Sequence, residues 1–291
     1  MITNSEFCTL KKGVRQRAEA IRCFLWDYYG GGKRWMKIIP PATLKSIITR
    51  NHDNSVFGKL KLSAIAFPFG PDIIRDKNGK WRVVEDSAGC LGGIGDLLES
   101  RKIMFKLMPS YQSIFKDAHN PKDFFVQLAA RFQKKAEQKG GIPLLYLGSF
   151  ETEEDNETRR LGKLFESLGI EVATTESATK QLLIESDGIF LQTARRKKRV
   201  GYMAFRTGPE HMVSHCLSLG LKTTLARKTM KMGFPEICQI RQVIQCLKGI
   251  SIQSALLKNH AWTNFSPGVQ FINDKMFGLY VDSFIIYLSG I

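Results

Sequence analysis

The sequence predicts a mixed fold, α+β in its first part and α/β in its middle. Three observations carry this. Apolar positions in residues 5–30 recur at helical spacing and stop at Gly30-Gly31-Gly32. "DIIRDKNGKWRVVEDSAG", residues 72–89, reads as two short strands around Asn78-Gly79. "IPLLYLGSF", "EEDNETRRLGKLFESLGI" and "EVATT" follow as buried strand, helix and strand, the order of a βαβ unit with parallel strands. The chain is thereby expected to divide into regions 1–104, 105–215 and 216–291.

The N-terminal "MITNSEFCTLKKGVRQRAEAIRCFLWDYY" lacks the apolar core of a signal peptide and reads as an amphipathic helix. Trp26, Tyr28, Tyr29 and Trp35 near its end read as core packing. "IIPPATLKSII" breaks at its prolines and restarts a helix at Pro41–Thr43, since proline suits the first helical turn. From about residue 60 to 86 the pattern is β, "KLSAIAFPFG" and then the hairpin. A helix is expected from Leu97 with Asp96 as its N-cap. "PKDFFVQLAARFQKKAEQKGG" is an amphipathic helix ended by glycines, and Gly169 closes the helix of the βαβ unit. Arg195 to Arg199, between the strand-like "GIFLQT" and "VGYMAF", reads as a solvated hairpin tip. The last region has mixed helix signals, then "NFSPGVQFINDK" and the apolar "MFGLYVDSFIIYL".

The 291 residues are 43% apolar, enough for a packed core. Lys and Arg number 43 against 27 acids, a net charge of +16. That balance favours anionic partners: nucleotides, acidic carrier proteins, nucleic acid or a membrane surface. The densest basic cluster has no RNA-type aromatic pattern beside it, so nucleic acid is disfavoured. No apolar run reaches the roughly 18 residues that span a bilayer, so no membrane partner is expected. The six cysteines form no C-x-x-C pair, which argues against a zinc or redox motif and for a cytoplasmic protein. Cys90 has no assignable histidine partner. His211 and His215 stand four apart without the H-E-x-x-H pattern. The acids of "TEEDNE" suit a helix N-terminus.

The hairpin holds the chemistry. Asn78-Gly79 predicts a two-residue type I′ turn. Lys77 would then face Lys80, Ile74 would face Val83, and Asp72 would face Glu85. Alternation puts Ser87 on the face of Glu85 and turns Asp86 to the other side. Facing carboxylates repel. A shared proton or an intervening cation removes that cost, and Mg²⁺ commonly takes one or two carboxylates with water and phosphate oxygens. A frayed hairpin with both carboxylates in water is the alternative. "AGCLGGIGD" follows, and Gly92, Gly93 and Gly95 would let backbone N–H groups approach an anion. A flexible surface loop is the alternative there. Neither the dinucleotide fingerprint nor the P-loop is present.

These residues resemble the D-x-x-R-D-x-x-G-x-W-x-V-x-E-D-N stretch of circularly permuted ATP-grasp ligases. "RQRAEAIRCFLWDYYGG" with "IIPPATL" resembles the helix, D-x-Y-G and I-P-P segments of that family. "LLYLGSFETEEDNETRRLGKLFESLGIEV" is similar to its small α/β subdomain, and "NFSPGVQFINDKMFGLYVDSFIIYL" to its N-x-P-G…D-K segment. The resemblance implies a metal-binding lobe, a small α/β subdomain and the start of a nucleotide-binding lobe. It implies ATP and Mg²⁺ as cofactors. It also implies carboxylate and amine substrates (peptide, amino acid or acyl carrier protein) joined through an acylphosphate.

By position, Asp72 and Glu85 would be metal ligands, with Ser87 where the family has asparagine. Lys275 would reach the ATP phosphates. Arg75 would face the phosphates or acylphosphate, although alternation puts it on the opposite strand face. Arg206, with Arg101, is a candidate contact for a substrate carboxylate, against an ordinary structural role for each. The family's further strands, adenine hinge and second phosphate lysine have no counterpart up to Ile291. A fragment, a split product, or an inactive relative that binds an acidic ligand or partner is therefore also expected.

Overall fold

The computed structural model describes residues 2–50, 65–89, 91–111, 113, 118–148, 156–208 and 237–288. The chain forms two compact units: Met1–Leu91 with Asn264–Ile291, and Gly92–Thr263.

In the first unit, α1 (Asn4–Tyr29) starts at a capping box between Thr3 and Glu6. It ends where the Gly30 N–H donates to the Trp26 carbonyl at 2.8 Å, with Gly31 in the left-handed region at φ 80°. This is the glycine stop that the sequence predicts. The stripe Ala20, Ile21, Phe24 and Leu25 is wholly buried. Phe24 meets Phe271, Phe277 and Phe284 at ring-centroid distances of 6.2, 5.0 and 4.8 Å. Those partners belong to three short helices, α8 (Val269–Ile272), α9 (Lys275–Gly278) and α10 (Val281–Leu288). The rings at 24, 271, 277 and 284 thus tie the unit's two chain segments into one core. α2 (Pro41–Arg50) begins at its proline as expected and buries Leu44 and Ile47.

Tyr28 packs on Trp35, and Trp35 is buried. Trp26 departs from the expected core role: it is 42% exposed, because the helix carries its position away from the buried stripe. Buried Asp27 accepts the Trp35 N–H at 2.9 Å, which folds the triple-glycine segment back over the helix end.

Polar chemistry is buried too. Arg17 on α1 grips Asp86 in two bonds, Nε–Oδ1 at 2.6 Å and Nη2–Oδ2 at 2.8 Å. Its Nη1 donates to Asp282 Oδ1 at 2.7 Å. Burial alone disfavours the Arg17 charge. The hydrogen bond and charge of Asp86, with those of Asp282, outweigh that and hold the guanidinium above its ordinary value.

The second unit is a sheet with helices packed on it. α3 (Leu97–Leu107) and α4 (Pro121–Glu137) precede β3 (Ile142–Gly148), α5 (Asn156–Ser167) and β4 (Glu171–Thr174). α6 (Thr175–Gln181), β5 (Leu182–Ile184), β6 (Ile189–Gln192), β7 (Lys197–Phe205), α7 (Ile237–Leu257) and β8 (Trp262–Thr263) follow. The strand order is β4-β3-β7-β6-β5, with β8 also on β7. β3 runs parallel to both β4 and β7, so the expected βαβ unit forms from β3, α5 and β4. Its core joins Phe125, Phe132 and Ala136 of α4, Leu161 and Phe165 of α5, and Leu145, Leu147, Tyr202 and Ala204 of the sheet. Gly201 is a glycine because helix and strand touch there: a Cβ would lie 2.2 Å from the Ala136 carbonyl oxygen.

Two local expectations meet the structure differently. The basic run is a β6–β7 hairpin tip, as predicted, with the Thr193 N–H bonded to the Arg196 carbonyl at 2.8 Å. Lys197 and Lys198 are ion-paired with Glu185 and Glu171. Asp96 precedes α3 but makes no side-chain cap. Its carboxylate pairs with Arg160 at 2.7 Å instead. Among the described residues no helix is long and apolar enough to cross a membrane.

Arg17→Ala would leave Asp86 buried without its partner and is expected to cost about 3–5 kcal/mol. The double variant Arg17→Met, Asp86→Leu should recover most of that loss. Denaturant unfolding of the three proteins checks it, and additive losses in the double variant would refute it.

Candidate functional site

The hairpin comprises β1 (Asp72–Arg75) and β2 (Trp81–Glu85). Its turn is not the expected type I′. Only Gly79 takes positive φ, at 74°, and Asn78 does not. The Asp76 N–H reaches the Lys80 carbonyl and the Gly79 N–H reaches the Asp76 carbonyl, both at 2.9 Å. This is a three-residue loop closed by a left-handed glycine. The cause is Asp76, whose Oδ1 accepts the N–H groups of Asn78 and Lys80 at 2.9 Å each and stabilises this turn instead.

The register moves with the turn. Ile74 faces Arg82 rather than Val83, and Lys77 lies in the loop rather than facing Lys80. A shift between Asp72 and Ile73 then takes up one residue on β2, and Asp72 faces Glu85 after all. Beyond it the Gly70 N–H bonds the Ser87 carbonyl at 2.9 Å and Phe69 bridges Ala88. The facing pair therefore rests on two irregularities that cancel. Asp72 is exposed and Glu85 and Ser87 are half-buried, while Asp86 is buried on Arg17.

Lys275 comes to this pair from far along the chain, its Nζ 3.6 Å from Glu85 Oε2. Its neighbours fix it. Asn273 Oδ1 accepts the Ala88 N–H at 2.7 Å, and Asn273 Nδ2 donates to the Ala88 carbonyl at 3.0 Å. Asp274 caps α9 by accepting the Met276 N–H at 2.9 Å and grips Arg50 through both carboxylate oxygens. Nothing in the sequence marks Asn273 or Arg50 for these partners. The only signal is that two short polar side chains precede the lysine.

Arg75 stands apart from the facing carboxylates. It pairs with Glu6 and lies over its cross-strand neighbour Trp81, 4.4 Å from the ring centroid.

Gly92, Gly93, Gly95 and Arg206 belong to the other unit. A Cβ on Gly92 or Gly93 would meet nothing within 4 Å, and Gly93 has φ 76°. Gly95 abuts α5, where a Cβ would lie 2.5 Å from the Glu157 carbonyl oxygen. Glu157 Oε1 accepts both the Gly95 N–H at 3.0 Å and Arg206 Nη2 at 2.9 Å. Arg206 is thus held by a carboxylate of its own unit. Arg101 donates to the His119 carbonyl at 3.0 Å. Cys90, His211, His215 and residues 153–155 lie outside the described residues.

Among the described residues no three of His, Cys, Asp or Glu gather as a metal-binding group. Asp72 and Glu85 are cross-strand partners, and paired carboxylates of this kind would offer oxygen donors to a hard dication that keeps water and phosphate among its ligands.

The Asp76 carboxyl is held below the ordinary aspartate value, first by the Lys80 N–H and then by Arg82. Its folded value lies under its unfolded value, so its contribution to stability is present above the unfolded value. That contribution is lost as pH falls through the folded one. NMR titration should give Asp76 a midpoint below that of exposed aspartates, and an ordinary midpoint would contradict the turn geometry.

The family described as circularly permuted ATP-grasp type 2 matches residues 1–218. An uncharacterised protein of Synechocystis sp. is 31% identical over 115 residues, 39% of this chain and 24% of the relative. One of Mycobacterium tuberculosis is 29% identical over 111 residues, 38% of this chain and 20% of the relative. A putative glutamate–cysteine ligase of Frankia casuarinae is 26% identical over 110 residues, 38% of this chain and 12% of the relative. The matched part of the chain spans 24% or less of these relatives' lengths.

Proposed function

Since the chain belongs to the circularly permuted ATP-grasp type 2 family, we propose that it is an ATP-dependent carboxylate–amine ligase or a part of one. The observation that carries this reading is that Glu85 faces Asp72 across the hairpin and also takes Lys275 as its ion partner. The Frankia relative, named a putative glutamate–cysteine ligase, belongs to the same reaction class.

In this reading Asp72 and Glu85 hold Mg²⁺, with Ser87 binding it or one of its waters. The ion supplies neutralisation of the phosphate charge when bound. Lys275 sits on a segment locked to Ala88, and its ammonium would reach phosphate oxygens beside Glu85. A substrate carboxylate oxygen attacks the γ-phosphorus and ADP leaves. The substrate amine then attacks the acyl carbon, phosphate leaves with the acyl C–O bond pair, and the amine loses a proton. Chemistry of this kind depends on positioning and electrostatics, so no Ser-His-Asp set is required. Gly92 and Gly93 are open enough for backbone contact with an anion. The substrates are a carboxylate and an amine of peptide or amino-acid kind, or borne on a carrier protein. The use of ATP accords with a cytoplasmic protein.

Thermal unfolding with Mg²⁺-ATP tests the reading. Ligand at a hundred times its dissociation constant should add about 2.7 kcal/mol. Asp72→Asn with Glu85→Gln should abolish the shift. Equal shifts in wild type and double variant would remove these carboxylates from the site. No shift in wild type or in a chain extended downstream would remove the ligase reading.

A further inference from the structure

Three ion pairs of the first unit differ in kind. Arg17–Asp86 is buried and bidentate, at 2.6 and 2.8 Å. Arg50–Asp274 is also bidentate, with its aspartate nearly buried. Lys275–Glu85 is a single contact of 3.6 Å, with the lysine side chain 80% exposed. An exposed single contact of this length is weak. It joins a backbone that is firmly held to a side chain that is not: Asn273 clamps Ala88 on one side of Lys275 and Asp274 caps α9. The arrangement gives a tethered ammonium on a long stem, parked on one of two facing carboxylates.

Facing carboxylates repel when no positive charge lies near. Lys275 supplies that charge from within the chain, at a strength that a dication exceeds.

We propose that Lys275 is a resident counter-ion of Glu85 within the facing Asp72–Glu85 pair. It offsets the charge of Glu85 before a divalent cation arrives and leaves Glu85 when one binds. It sets cation affinity, because a dication that takes Glu85 must displace it. This rests on the assignment of Asp72 and Glu85 to the metal, and it adds that Lys275 opposes metal binding in the absence of nucleotide. The freed ammonium would then be available to phosphate oxygens, which couples loading of the cation to recognition of the nucleotide.

Mn²⁺ alone, followed by electron paramagnetic resonance of the free ion, is the probe. Lys275→Met should bind Mn²⁺ about three- to tenfold more tightly than the wild type at low salt. Lys275→Arg, which keeps the charge, should bind as the wild type does. Raising the salt concentration should shrink the difference. Unchanged or weaker binding by Lys275→Met overturns the proposal, as does an equal gain in Lys275→Arg. Asp72→Asn with Glu85→Gln is the separate arm: if that variant binds Mn²⁺ as the wild type does, the carboxylate assignment itself fails. Failure of both wild type and Lys275→Met to bind Mn²⁺ overturns the proposal too.

Discussion

The grip of Arg17 on Asp86 is the constraint on which the first unit depends. Both groups are buried, so each is costly without the other. The pair fixes α1 against the end of the hairpin, and Arg17 also reaches Asp282 at the start of α10. It thereby decides which way the chain runs through Glu85, Asp86 and Ser87. With Asp86 turned into the protein, alternation leaves Glu85 and Ser87 on the other side. Two adjacent acids in sequence thus have opposite fates, one buried on Arg17 and the other half-buried beside Lys275.

Much of this was legible from pattern. The helix stop at Gly30, the proline start of α2 and the parallel βαβ unit follow from local rules, and the structure obeys them. The facing of Asp72 and Glu85 was legible too, but for the wrong reason. Asn-Gly argued for a two-residue turn, and Asp76 instead built a three-residue loop that displaced the register. The displacement was undone next to Asp72, and that bulge has no local sequence mark. Partners distant in sequence were not legible. Asn273 with Ala88, Arg50 with Asp274, and Glu157 with Gly95 and Arg206 depend on tertiary approach. Trp26 escapes the core because an aromatic cluster in sequence spreads around a helix in space.

The glycine-rich segment also divides once the structure is known. Gly95 is required by the close approach of α5, whatever else the segment does. Gly92 and Gly93 meet no neighbour that would demand a glycine, although the φ of Gly93 still favours one. A run that looks uniform in sequence therefore holds a packing glycine at 95 and two positions, 92 and 93, where a Cβ would meet no neighbour.

Both proposals turn on the hairpin pair forming one cation site, with Lys275 as its built-in competitor. Crystals of the protein grown with Mn²⁺ and nucleotide test this directly through anomalous scattering. One anomalous peak is expected within coordination distance of both the Asp72 and Glu85 carboxylates, with Lys275 Nζ withdrawn from Glu85. A peak bound to neither carboxylate, or a Lys275–Glu85 contact that persists beside the bound ion, would contradict it.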